Sequence, residues 1–354
     1  MSQTETLRFD PESLESFAAA ILRNAGLTAP HHDIVAEALV RADLRGVSSH
    51  GVARLEPYVA HLDAGGFNSD PEIDIDERSE GALVVDADNG PGQSAGKRTM
   101  ERLISMSKRT GVAVGVVRNS NHFGTAAYYT EMAADEDCIG MAMTNVPAEV
   151  IPFGGREPYL GTNPIAVSVP SSQEFPITLD MATSVVAMGK IDHVAAEKGE
   201  QVPENWGVDD QGEPTTDPEK INALRPLGGA KGYGLGVVVE LLAGLLSGAN
   251  HSVEVSSLYD EFETSMGVGH FYLSIDVATL RTVGEFIADV DRLIEDIKNM
   301  PSDEGVPEVL LPGEIEARAM EENLETGVPV DPNVFRKLET IAEEYVVESP
   351  SPRD

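Results

Sequence analysis

Apolar and polar positions divide the chain into three textures. In the first, "ESLESFAAAILRNAG" and "PHHDIVAEALVRADLRG" repeat apolar residues at helical spacing, and Asp10-Pro11 offers a cap and a first-turn proline to the earlier segment. A third helix is expected after Gly51. From Ala82 onward, short β-rich runs ("ALVVDA", "VAVGVV", "IGMAMT", "IAVSVP", "ITLDMA") alternate with helical segments, which predicts a mixed α and β middle. Past a polar stretch around residues 197 to 225, "GYGLGVVVELLAGLLSGA" is too apolar for a surface helix and is expected inside the molecule. "VGHFYLSID" reads as a further strand, "TVGEFIADVDRLIEDIKNM" as an amphipathic helix, and two more helices are expected from Pro312, before an acidic end expected to fray. The class is α+β, in three parts. Residues 1–75 form a helical part, 76–290 a mixed α and β region, and 291–354 C-terminal helices that pack back on the first part.

Composition narrows the function classes. The 354 residues are 41% hydrophobic, enough for two or three structural units around large cores. No apolar run approaches the ~20 residues of a membrane-spanning helix. The opening "MSQTETLRFDPES" lacks a basic segment followed by an apolar core, so the expected location is the cytoplasm. The single cysteine, Cys138, lies in the apolar "CIGMAM" run and reads as a packing residue. Charge is the unusual property: 25 Lys+Arg against 60 Asp+Glu give a formal net charge of −35. Nucleic acid would be repelled. Such self-repulsion is tolerable where concentrated salt screens it, and because the acid is dispersed along the chain, the expectation is a halophilic protein.

Familiar signatures fail. No G-x-G-x-x-G links a strand to a helix, so a Rossmann site is not indicated. "NGPGQSAGK" is no phosphate loop, because Pro91 stands where the first glycine belongs and Arg98 follows Lys97 in place of Ser or Thr. One cysteine and no H-E-x-x-H leave no ready zinc ligand set.

Four constellations remain. "SSHGVARLEPY" spaces His50, Arg54 and Tyr58 four residues apart, along one face if the segment is helical; Arg54 offers a fork for a carboxylate and His50 a titratable donor. The plainer reading is a solvated helix face, and Pro57 threatens the helix. In "RNSNHFGTAAYY", His122 sits in a turn-forming run where an imidazole suits proton transfer near neutral pH, or simply caps the next helix. Asp180 ends the strand of "ITLDMATS", facing a ligand or capping a helix. Lys231, among the glycines of "PLGGAKGYGLG" at a helix start, is a candidate anion contact or an exposed lysine beside tightly packed glycines.

Taken in order, "RADLRGVSSHGVARLEPYV", "RNSNHFGTAAYY", "VIPFGGREPYLGTNPIAVSVP", "LDMATSVVAMGKI", "PLGGAKGYGLGVVVELLAGLLSGA" and "LLPGEIEA" resemble the type 2 malate/L-lactate dehydrogenase family over nearly the whole chain. That family also contains sulfolactate and ureidoglycolate dehydrogenases and a cyclic-imine reductase. The resemblance implies a non-Rossmann nicotinamide site in a mixed-sheet domain, a helical domain formed by both chain ends, and a homodimer with the active site near the subunit boundary. It implies His122 as proton acceptor for the substrate hydroxyl, with Ser49, His50 and Arg54 orienting the substrate and Tyr58 a further contact. Asp180, Met181, Ala182 and Lys231 would hold NAD or NADP, with Glu314 and Arg318 near it. One departure is Val146, where relatives commonly carry serine, so a side-chain bond to cofactor would be lost there.

The expected reaction is interconversion of a small 2-hydroxy acid, malate before lactate or sulfolactate, with its 2-oxo acid, reduction being favoured at lower pH. The alternatives are a piperideine-2-carboxylate type imine reductase on the same scaffold, a metal-dependent lyase using His50, His122 and Asp180, and a non-catalytic binding protein.

Overall fold

The computed structural model describes residues 6–173, 175–191 and 200–353, so the first residues of the polar stretch expected at 197 to 225 lie outside the described set. Strand β1 (Leu7–Phe9) is followed by α1 (Pro11–Asn24), whose cap Asp10 accepts the Ser13 N–H at 3.0 Å as its sequence demands. Then come α2 (His31–Leu44), two 3-10 turns (Ser48–His50 and Val52–Arg54), and α3 (Leu55–Ala64). Pro57 does not break α3. It falls in the first turn, where its missing N–H has no partner to lose.

The middle of the chain builds β2 (Asp74–Ser79), β3 (Ala82–Asp86), α4 (Gly92–Thr110), β4 (Val112–Ser120), α5 (Ala127–Ala134), β5 (Cys138–Thr144), β6 (Ile165–Val169), β7 (Ile177–Met181) and the short pair β8 (Gly207–Val208) and β9 (Ala223–Leu224). Helix α6 (Ala230–Val239) runs into a π-helical turn at Glu240–Leu245, and β10 (Val268–Asp276), α7 (Val277–Leu280), α8 (Val283–Lys298), α9 (Glu314–Thr326), β11 (Val328–Val330) and α10 (Pro332–Glu344) complete the described chain.

Among the described residues the large sheet has seven strands in the order β2-β3-β4-β10-β5-β6-β7, with β3–β4 its single parallel pair. This mixed sheet is not a Rossmann fold. Both faces are covered, as the alternation along β10 shows: Tyr272 joins Met100 and Leu103 of α4 on one side, while its neighbour Phe271 meets Val239 and Ala243 on the other. Cys138 is buried in the first of these cores.

A separate core joins Leu14, Ile21, Leu39, Leu55 and Val59 of the first three helices to Phe335 and Leu338 of α10. The antiparallel β1–β11 pair ties the two chain ends together. This helical unit also takes in Val255, Leu258 and Met266, which the pattern alone assigned to the middle region. Helix α8, by contrast, packs Val290 and Ile294 with Leu311 against Val169 and Ile177 on the sheet's far edge.

Two further expectations are corrected. The chain end is not frayed at residue 353: Arg353 donates its backbone N–H to the Arg8 carbonyl at 2.7 Å and its guanidinium to Asp10 at 2.6 Å. Nor is the apolar helix wholly inside. Leu235, Val238, Leu241 and Leu245 are 43, 45, 48 and 50% exposed along one face, because only the opposite face, with Val239 and Ala243, meets the sheet.

Candidate active site

The loop after β4 is fixed before its histidine is placed. Asn119 and Gly124 take positive φ, 50° and 78°, which turn the chain, and buried Asn121 donates to the Asn89 and Gly90 carbonyls at 2.7 and 3.0 Å while accepting the Met266 N–H at 2.8 Å. His122 therefore projects from a rigid loop. Its Nδ1 pairs with the Tyr58 hydroxyl at 2.6 Å, and that hydroxyl accepts from Gln93 Nε2 at 2.7 Å.

His50 and Arg54 arrive from the 3-10 turns and not from one continuous helix. The chain bends at Gly51, where a Cβ would stand 1.9 Å from the buried Asp43 carboxylate. Asp43 accepts the Val52 N–H at 2.7 Å, and burial pushes its carboxyl up to about 8. The consequence is a stack: the His50 and His122 rings lie 5.4 Å apart at 23°. Ser49 Oγ pairs with His50 Nδ1 at 3.0 Å. Arg54 donates Nε–H to the Ser49 carbonyl at 2.6 Å and another N–H to the Tyr259 hydroxyl, with its guanidinium carbon 5.3 Å from that ring's centroid.

These groups face a cavity of about 390 Å³ lined by His50, Arg54, His122, Val146, Tyr259 and neighbours. A second cavity, of about 460 Å³, holds Ser49, Asp180, Met181, Ala182, Leu311 and Gly313. Five residues, His50, Gly124, Thr162, Pro164 and Ala187, line both, so the two are one continuous groove.

Electrostatics leave the imidazoles neutral. Burial, then His50, Arg54 and His270, holds His122 well below the ordinary histidine value, and burial with Arg54 holds His50 at about 4. His270, pinned at 2.8 Å by both Ser120 and Thr144 and stacked on Phe123 at 4.7 Å, is held at about 3 by burial. Asp180 opens onto the second cavity but is crowded by protein, which pushes it up to about 6 against the Ala127 N–H it accepts at 2.9 Å. It caps α5, not the segment that follows it in sequence.

The structure thus brings Ser49, His50, Arg54, His122, Val146, Asp180, Met181 and Ala182 to one groove. Tyr58 stands behind His122 and lines neither cavity, since it is 1% exposed. Lys231 is exposed on the first turn of α6 and is not among the residues lining either cavity. Glu314 accepts the Leu311 N–H at 2.9 Å and pairs with Lys298 at 2.7 Å and with Arg318, which also pairs with Glu308. Both side chains brace the turn whose Gly313 lines the second cavity. Val146 gives its N–H to Asn163 Oδ1 at 3.3 Å. Among the described residues no three His, Cys, Asp or Glu side chains converge on a metal position, so His50, His122 and Asp180 form no ligand set.

Sequence reasoning missed Gln93, Tyr259 and the buried Glu240, which accepts from Asn145 and Asn163 at 3.2 and 2.7 Å beneath the first cavity. Tyr259 lies in an aperiodic polar loop and carries no signal. Gln93 sits inside the segment rejected as a phosphate loop.

A family model described as malate/L-lactate dehydrogenase matches residues 9–339. The chain is 39% identical over 352 residues to a malate dehydrogenase of Pyrococcus horikoshii, covering 97% of this chain and 96% of that one. It is 38% identical over 336 residues to an L-sulfolactate dehydrogenase of Methanocaldococcus jannaschii, covering 94% and 96%. The solved malate dehydrogenase structure from Pyrococcus horikoshii superposes with a TM-score of 0.89 at 37% identity, covering 98% of each chain.

Proposed function

Because the chain belongs to the malate/L-lactate dehydrogenase family, we propose that it interconverts a small 2-hydroxy acid with its 2-oxo acid using NAD or NADP, with malate the favoured substrate. The observation that carries this is His122 stacked 5.4 Å from His50 in a cavity that Arg54 also lines and that shares its lining with a second one.

The second cavity fits a nicotinamide cofactor. Met181, Ala182 and Leu311 give apolar walls for a flat ring, Asp180 and Thr162 give polar partners, and the shared lining leads to His122. When bound, the nicotinamide supplies the hydride acceptor or donor. The protein does the rest. Arg54 grips the substrate carboxylate with a fork already held by Ser49 and Tyr259, His50 adds a ring N–H, and His122 takes the hydroxyl proton in oxidation and returns it in reduction. The 39% identity to a malate dehydrogenase supports malate over lactate. A panel of 2-oxo acids and a cyclic imine with each reduced cofactor tests the reading: malate formation from oxaloacetate is expected, and turnover of the imine alone would overturn it.

The exposed stripe of Leu235, Val238, Leu241 and Leu245 supports a homodimer, since such an apolar face in water asks for a partner and a second copy carries its match. The double substitution L241D/L245D should halve the mass measured by light scattering. An unchanged mass would place the interface elsewhere.

The charge of −35 supports a halophilic protein of a salt-rich cytoplasm. Its unfolding midpoint should climb as KCl goes from about 0.1 M to about 1 M, because the screening length falls from about 10 Å to about 3 Å. Full stability without salt would remove this reading.

A further inference from the structure

We propose that Gln93 is a positioning residue for the proton transfer: acting through Tyr58, its side-chain amide decides which nitrogen of His122 carries the ring proton. The inference rests on His122 being the proton acceptor, as argued above.

The placement begins with the rejected glycine-rich segment. A Cβ on Gly92 would fall 2.3 Å from the Asn121 carbonyl oxygen and 2.8 Å from that of His122, so the start of α4 is pressed onto the backbone that carries the imidazole. The next residue, Gln93, is fully buried, and Tyr58 is 1% exposed. Their chain of contacts is short: Gln93 Nε2 to the Tyr58 hydroxyl at 2.7 Å, and that hydroxyl to His122 Nδ1 at 2.6 Å. No water position intervenes at such distances.

A tyrosine hydroxyl has one proton to give. While Gln93 donates to it, that proton goes to Nδ1, and neutral His122 then carries its own proton on Nε2, which has no hydrogen-bond partner among the described residues. This form is a donor, suited to holding the carbonyl oxygen of a 2-oxo acid. It cannot accept the proton of an alcohol. If the amide turns over, Oε1 accepts from Tyr58, Tyr58 accepts from Nδ1–H, and Nε2 is left bare as the acceptor. In oxidation the alcohol O–H bond breaks, its proton forms the Nε2–H bond, and the ring becomes an imidazolium with Nδ1–H still on Tyr58. Reduction runs these bonds in reverse.

The amide is built to allow both settings. Among the described residues no protein group pairs with Gln93 Oε1, so the protein tethers the amide through Tyr58 alone and either orientation can meet that hydroxyl.

The test compares wild type, Gln93→Met, Tyr58→Phe and the double variant, with His122→Asn as reference. Readouts are kcat, the pH profile of kcat/KM, the imidazole 15N shifts of His122, the KM for cofactor and the unfolding midpoint. Gln93→Met should lower kcat about 10- to 100-fold, a part of what general acid–base transfer supplies. It should also move the acid limb and the 15N tautomer signature, with cofactor KM and midpoint preserved. In the Tyr58→Phe background the same substitution should add nothing, because its path to His122 is gone. If Gln93→Met does not fold, Tyr58→Phe carries the test through its own tautomer signature. Wild-type kcat, pH limb and 15N shifts in Gln93→Met, or an unaltered tautomer in Tyr58→Phe, overturn the proposal when His122→Asn is inactive. An active His122→Asn would instead remove the reading beneath it.

Discussion

Replacing His122 with asparagine should lower kcat by about 10²- to 10⁴-fold, the range general acid–base transfer supplies, while cofactor binding is retained. Asparagine still offers a polar end to Tyr58 but cannot accept and release a proton. The pH dependence follows from the direction of the shift. In the free enzyme burial, His50, Arg54 and His270 hold the His122 imidazole well below 6.5, so the base form persists under acidic conditions. The acid limb of kcat/KM for oxidation should therefore lie below the ordinary histidine range, and kcat/KM for reduction should rise as pH falls toward that limb. Once a carboxylate cancels the Arg54 charge, the ring is easier to protonate, and the acid limb of kcat should sit above that of kcat/KM. The variant should lose the limb together with the rate. Near-wild-type turnover in His122→Asn would take the imidazole out of the chemistry.

How much of this was legible in the sequence depends on whether a residue's meaning is local. Asn119, Asn121 and Gly124 announce a turn by residue type alone, and His122 sits within it as the pattern expects. The alternating strands read correctly for the same reason, since burial on a sheet face is written with period two. Tyr58 leaves the expected face because helical spacing does not continue across Gly51, where the packing of Asp43 bends the chain; Tyr58 bonds His122 Nδ1 while His50 stacks on the same ring and Arg54 is held by Ser49 and Tyr259. Gln93 was invisible because it matters only through Tyr58 and the His122 loop, both remote in sequence. Hydropathy does not tell a helix covered on every side from one packed on a single face, so "GYGLGVVVELLAGLLSGA" is expected wholly inside although Leu241 and Leu245 are half exposed. The polar edge strand Asp74–Ser79 shows the converse limit: among the described residues it pairs with β3 alone, and its residues are largely exposed, so no apolar alternation marks it.

Substituting Arg54 with methionine should lower kcat/KM for the 2-hydroxy acid by about 10²- to 10³-fold, or about 3 to 4 kcal/mol at roughly 1.4 kcal/mol per decade. The reasoning is geometric. Arg54 is held before substrate arrives by the Ser49 carbonyl at 2.6 Å, by the Tyr259 hydroxyl and by that residue's ring at 5.3 Å, so little ordering remains to be done when a carboxylate docks. Lysine cannot reproduce the fork, and Arg54→Lys should recover only part of the loss. Two accompanying effects separate lost recognition from general damage. A substrate analogue with an amide in place of the carboxylate should be poor for wild type yet little poorer for Arg54→Met, because the interaction it lacks is already gone. With the guanidinium removed, one charge that disfavours protonation of both His50 and His122 disappears, so the acid limb of kcat/KM for oxidation should move to higher pH. An Arg54→Met enzyme that kept both its kcat/KM for the acid and its preference for acid over amide would show that the carboxylate is gripped elsewhere in the groove.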